Sequence, residues 1–276
     1  MKRKIVSIMT AALILTPTLT ANLSTVNAAY QPYSVTSVSD TVKLAKYDDG
    51  LLIDHVVYFP KDMTTSNKKY PVVVWGNGTF GSWDYYEELL SQIAAGGYIV
   101  VGDTDSFCGS GLTESASVNF IINESKDRNS IFYNKVDVEH IGAGGHSQGG
   151  MSAVNASRLN SKIDCVFDVQ GCQLKYEASK LKVPTFFITA TEDVIVPSSW
   201  VKSSYDGCKA PAVYASVKDV THFGPVDGNC ASIFAEYAVK WFDAFLKNDQ
   251  TAKSVFLNGG ALSKDSRWVD YASKNF

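Results

Sequence analysis

The sequence predicts an α/β fold built on a mostly parallel sheet, and three observations carry that prediction. Short apolar runs of strand length recur along the chain and alternate with stretches of helical spacing. The runs Val72-Val73-Val74 and Phe186-Phe187-Ile188 are apolar at successive positions, so both sides of the pleat are covered, as in parallel strands with helices on two faces. The 276 residues are 45% hydrophobic and 19% charged, which suits one full-sized core and excludes a disordered, collagenous or coiled-coil chain.

The elements follow in order. Lys2, Arg3 and Lys4 precede an apolar run from Ile5 to Leu15, and Val26-Asn27-Ala28 offers small residues where signal peptidase requires them. Residues 1–28 are therefore expected to be a signal peptide and 29–276 a single domain. The apolar run is too short to cross ~30 Å of hydrocarbon, so the expectation is a secreted protein with no integral membrane segment. Strands are expected at 51–59, 71–75, 98–101, 140–142, 163–169, 185–190 and 212–217. Tyr86, Leu89, Leu90, Ile93 and Ala94 share one helical face, and Gly96-Gly97 ends that helix. Ile233, Phe234, Tyr237, Ala238, Trp241, Phe242 and Phe245 repeat the spacing later. Beyond Lys247 no pattern is decisive; a short helix over 266–274 is compatible with it.

Charge and cysteines narrow the class. With 25 basic and 28 acidic residues the formal net charge is −3, and removal of a leader holding three bases leaves the rest more acidic still. That balance argues against a nucleic-acid partner. Of five cysteines, Cys165 reads as a buried strand residue and is expected to be free. Cys208 with Cys230 and Cys108 with Cys172 are the expected disulfides of an exported protein. No His-Glu-x-x-His, Cys-x-x-Cys or phosphate-loop pattern occurs, so neither a metal nor another cofactor is expected.

The chemistry is concentrated at Gly145-His146-Ser147-Gln148-Gly149, a Gly-x-Ser-x-Gly pattern. A serine on a very tight strand-to-helix turn needs small neighbours, and the turn lifts its hydroxyl above the sheet. The pattern is common alone. Here a strand ending in glycines precedes it and a helix over 148–158 follows. A serine nucleophile needs a base, and the base an orienting acid, in the chain order Ser, Asp or Glu, His. Beyond Ser147 the only histidine is His222. Asp193, just past the strand at 185–190, is the first choice of acid; Glu192 and Asp168 are the alternatives. Two backbone N–H groups are required for the oxyanion. Gln148 should supply one, and Thr79, within Gly76-Asn77-Gly78-Thr79-Phe80-Gly81, the other. Asn77-Gly78-Thr79 is also a glycosylation sequon, which fits a bacterial export route better than a eukaryotic one.

These segments, together with residues 97–106 (Gly-Tyr-Ile-Val-Val-Gly-Asp-Thr-Asp-Ser), resemble the α/β-hydrolase superfamily. Within it, the chain looks specifically like the small secreted esterases of the cutinase, polyester-hydrolase and chlorophyllase-like neighbourhood. The resemblance implies an eight-stranded central sheet flanked by helices and a Ser-Asp-His triad, falling here on Ser147, Asp193 and His222. Its Asp-x-Ile-x-Pro pattern selects Asp193. At two positions the chain departs from the polyester hydrolases: Thr79 stands where they carry an aromatic, and Cys172 near where they carry a tryptophan. The short stretch from Ser147 to Asp193 leaves no room for a lid domain. Phe80, Trp83, Trp200 and Tyr205 are candidates for an apolar groove, with Phe80 or Trp83 standing in for the missing aromatic.

The expected function is therefore a secreted serine carboxylic-ester hydrolase, monomeric, acting on a small-molecule or polymeric ester. An acyltransferase or peptidase on the same fold, and a catalytically silent binding protein, are the alternatives.

Overall fold

The computed structural model describes residues 34–38, 41–46 and 53–276, so the leader expected over 1–28 lies outside the described residues. All described residues belong to one compact unit. In chain order its elements are β1 (Ser34–Val38), β2 (Thr41–Lys46), β3 (His55–Pro60), β4 (Tyr70–Gly76), α1 (Glu87–Ala95), β5 (Ile99–Asp103), α2 (Leu112–Glu124), β6 (Val136–His146) and α3 (Gln148–Leu159). They continue with β7 (Ile163–Val169), α4 (Lys175–Ala178), β8 (Thr185–Glu192), α5 (Ser198–Gly207), β9 (Ala212–Thr221), α6 (Gly228–Leu246), α7 (Gln250–Ser254) and β10 (Trp268–Lys274).

The strands form one sheet in the order β1-β2-β3-β5-β4-β6-β7-β8-β9-β10. From β5 to β9 every pairing is parallel; β1, β2 and β3 at one edge and β10 at the other pair antiparallel. The expected eight-stranded sheet is the run from β2 to β9, with one further strand at each edge. Register brings the carboxyl ends of the central strands level, with Gly76 opposite Gly145 and His146 opposite Val169. The loops that follow these strands therefore open at one rim.

Alternation along the strands divides the core in two. Val73, Val100, Phe167 and Phe186 face α1 and α6, whereas Val72, Val74, Val101, Val166 and Phe187 face α2, α3 and α5. The face of α6 that carries Phe234, Tyr237, Trp241 and Phe242 is buried, as its spacing requires, and Asp227 caps its first turn by accepting from Asn229 N–H. At the end of α1, Gly97 adopts φ 93°, the left-handed stop expected of the Gly96-Gly97 pair.

The two expected disulfides are absent: all five cysteines are free thiols. Cys208 packs into the core on the α5 face, while Cys230, on α6, packs against the core of the opposite face, so the sheet itself separates them. Cys108 is buried with Sγ donating to Asn77 O at 3.2 Å, and Cys172 follows β7, on the far side of β6 from the loop that Cys108 touches. Cys165 is buried within β7, as expected. Residues 268–274 form the edge strand β10, not a helix.

Candidate active site

Ser147 lies between β6 and α3 with φ 58° and ψ −118°, a backbone conformation that costs about 1–3 kcal/mol and is kept only where the surroundings enforce it. Here they do. The Ser147 N–H donates to Val169 O at 2.8 Å, pinning the turn to β7. A Cβ at Gly145 would overlap the Gly149 carbonyl, and one at Gly149 would overlap the Gly76 carbonyl of β4. Only glycines let the helix start this close to two strands.

Asp193 follows β8 and His222 follows β9. Asp193 Oδ2 accepts from His222 Nδ1 at 2.8 Å and from Gln170 Nε2 at 2.8 Å. Its Oδ1 accepts from the N–H groups of Ile195 and Val196, each at 2.9 Å. Burial alone would raise this carboxyl. The hydrogen bond from His222, then those of Val196 and Ile195, outweigh it and hold the group below its ordinary value. An acceptor-only carboxylate at Nδ1 puts the imidazole proton there and leaves Nε2 free to take one. The His222 ring stands 4.7 Å from that of His146, the residue before Ser147, which brings His222 to the turn. No hydrogen bond joins Ser147 Oγ to His222 in this structure.

The loop after β4 is braced from three sides. Gly78 N–H donates to Tyr86 Oη at 2.9 Å, Phe80 N–H to Ser106 O at 3.1 Å, and Gly81 N–H to Gly78 O at 2.8 Å. The N–H of Thr79 has no acceptor among the described residues, nor has that of Gln148 at the start of α3. These are two unengaged donors on the two segments that meet at Ser147. Tyr86 Oη also lies 2.9 Å from His146 Nδ1. Burial, and then the neighbouring His222, pull His146 down to about 3, so its ring is neutral and its Nδ1 accepts the Tyr86 proton. One phenol thus ties the loop to the turn.

The sequence pattern of the PET hydrolase-like family matches residues 15–273. The chain belongs to that family. Its architecture is the α/β-hydrolase fold of the cutinase and polyester-hydrolase neighbourhood, and the chain is a carboxylic-ester hydrolase by class. Among curated relatives it is 25% identical over 212 residues to "Cutinase 2" of Thermobifida cellulosilytica, covering 74% of this chain and 77% of that one. It is equally similar to "Cutinase cut1" of Thermobifida fusca, of which the match spans 63%, a little under two thirds of that relative's length.

Within this family member, Ser147, Asp193, His222, Thr79 and Gln148 sit at the carboxyl rim of the sheet. Asp168 turns instead beneath α3, where it accepts from Gln173 and would meet a Cβ at Gly150. Glu192 is exposed. Phe80 is 75% exposed and Trp200 53% exposed, the latter in the first turn of α5, just past the Asp193 loop. Trp83 is a packing residue, half-buried against the core with Lys43 Nζ 4.0 Å above its ring. Tyr205 is likewise buried, edge-on to Phe187. Three residues went unassigned from sequence. Tyr86 reads as an ordinary apolar helix position, His146 as the variable residue of the motif, and Gln170 as a loop polar; only the placement of Gln170 directly after a strand marks it.

Among the described residues, no group of three or more His, Cys, Asp or Glu side chains is arranged to hold a metal ion. None of their helices is long and apolar enough to cross a membrane. A cavity of about 670 Å³ opens at the other end of the sheet, lined by Lys69, Tyr70, Asp137, His140 and Lys247, away from Ser147.

Proposed function

We propose that the chain is a secreted serine ester hydrolase working through an acyl-enzyme. His222 Nε2 takes the proton of Ser147 Oγ as the hydroxyl attacks the ester carbonyl, then delivers it to the departing alcohol. Water repeats the cycle and frees the acid. Asp193 holds the imidazole in the required tautomer and balances its charge, while the N–H groups of Thr79 and Gln148 receive the oxyanion. Residues 1–28 serve as the export signal and 29–276 as one catalytic domain without a lid. The observation that carries this reading is the 2.8 Å His222–Asp193 hydrogen bond beside a serine held at φ 58°.

The test is hydrolysis of p-nitrophenyl esters from acetyl to palmitoyl by wild type and Ser147→Ala. The expected result is turnover that falls by at least ~1,000-fold in the variant, because members of a triad act as a unit. A fully active Ser147→Ala protein would overturn the assignment.

A further inference from the structure

We propose that Phe80 and Phe107 form the acyl-side wall of this site, and that Phe107 sets a preference for acyl groups larger than acetyl; this rests on the serine-hydrolase reading above. Phe80 is 75% exposed and Phe107 60% exposed, and their rings meet edge to face with centroids 5.1 Å apart. Phe80 adopts φ 64°, a region that residues with a side chain rarely enter. Two large rings held in water, one on a strained backbone, do nothing for the stability of the core.

Their backbones are fixed. Phe80 N–H donates to Ser106 O, and Phe107 N–H to Asp105 Oδ1 at 2.8 Å. Asn77 Nδ2 bridges the two loops, reaching Asp103 O at 2.8 Å and Asp105 O at 3.2 Å. The pair lies on the loops that border both proposed oxyanion donors: Phe80 adjoins Thr79, and Gly109, two residues past Phe107, packs so tightly on the Met151 and Gln148 side chains that a Cβ there would collide with them.

Topology decides which part of the substrate meets these rings. Ser147 follows β6; Phe80 and Phe107 follow β4 and β5 on one side of it, whereas Asp193 and His222 follow β8 and β9 on the other. His222 protonates the departing alcohol, so the alcohol lies toward β8 and β9; the oxyanion points to the Thr79 and Gln148 N–H groups, and the acyl chain, the remaining substituent, is proposed to leave beside the Thr79 loop, past Phe80 and Phe107.

The experiment compares kcat/KM for p-nitrophenyl acetate, hexanoate and benzoate in wild type, Phe107→Ala and Phe107→Tyr, with thermal melting to verify folding. In Phe107→Ala the hexanoate-to-acetate and benzoate-to-acetate ratios should fall roughly tenfold or more, and Phe107→Tyr should restore them. A second series holds the acyl group at hexanoyl and varies the alcohol; its selectivity should be the same in all three proteins. Unchanged acyl ratios in a folded Phe107→Ala protein, or a change confined to the alcohol series, would overturn the proposal. Absence of turnover in the wild type would instead remove the serine-hydrolase reading on which it rests.

Discussion

Replacing Tyr86 with phenylalanine removes one oxygen atom and nothing else. The ring is 2% exposed and its packing on Trp75, at 5.5 Å between centroids, is retained. What is lost is the acceptor of the Gly78 N–H and the donor to His146 Nδ1, both at 2.9 Å. Each buried group left without a partner costs about 1–3 kcal/mol, so the variant should be destabilised by about 2–6 kcal/mol. For a domain of this size that lowers the melting temperature by roughly 4–24 °C. Gly78 directly precedes Thr79, so a loosened loop would also misplace the N–H proposed to receive the oxyanion. A displacement near 1 Å at such a point costs ~100-fold, and kcat should fall by roughly 10- to 100-fold with KM little changed. Thermal unfolding by circular dichroism, together with steady-state kinetics on a short p-nitrophenyl ester, reads both. A Tyr86→Phe protein that melts within about 2 °C of wild type and keeps its kcat would refute the claim that this phenol joins loop and turn.

Two further outcomes follow from the buried groups. Asp168 is fully buried, and burial pushes its carboxyl up to about 7. The unfolded chain releases this proton near pH 4 and the folded chain only near 7. Stability should therefore decline as pH rises across that window, by on the order of 4 kcal/mol, and level off above it. Asp168→Asn should flatten the curve of urea midpoint against pH; a variant with the wild-type slope would place the effect elsewhere, Asp103, also raised to about 7, being the nearest alternative. The second concerns the thiols. With all five cysteines free, thiol titration of the urea-unfolded protein without reductant should find five equivalents. One equivalent would restore the two disulfides first expected.

Most of the central sheet was legible because its strands obey a simple rule: β4 and β8 are apolar at successive positions, and the apolar-rich run 163–169 matches β7 to the residue. Among the elements that the sequence did not reveal, two hid for identifiable reasons. The buried side of α2 carries Thr113, Glu114 and Ser117 along with Val118 and Ile121, so hydrophobic spacing cannot reveal it. In β10 a register shift between Val269 and Ala272, with Asp270 at φ 56°, breaks the alternation that marks a strand. At the candidate site, motif and chain order pointed to Ser147, Asp193 and His222, and the structure places Asp193 within 2.8 Å of His222 Nδ1. The roles of Tyr86, His146 and Gln170 depend on contacts between segments far apart in sequence, and no local pattern records those. The cysteine pairing failed likewise, since spacing does not tell which face of the sheet a thiol occupies.

The bracing of Asn77 bears on how the protein ages. An asparagine followed by glycine is chemically fragile, because the glycine nitrogen can attack the side-chain amide with little steric hindrance, losing ammonia and leaving a mixture of acids. In the folded chain Asn77 is fully buried, its Nδ2 is held by Asp103 and Asp105, and the attacking nitrogen of Gly78 is itself engaged by Tyr86. The native state thus shields its own weak point, while every excursion to the unfolded chain exposes it. A chain damaged there would refold with a new carboxylate beside buried Asp103, directly under the loop that carries Thr79. The useful lifetime of the molecule is then governed by how often it unfolds, and each conversion is permanent.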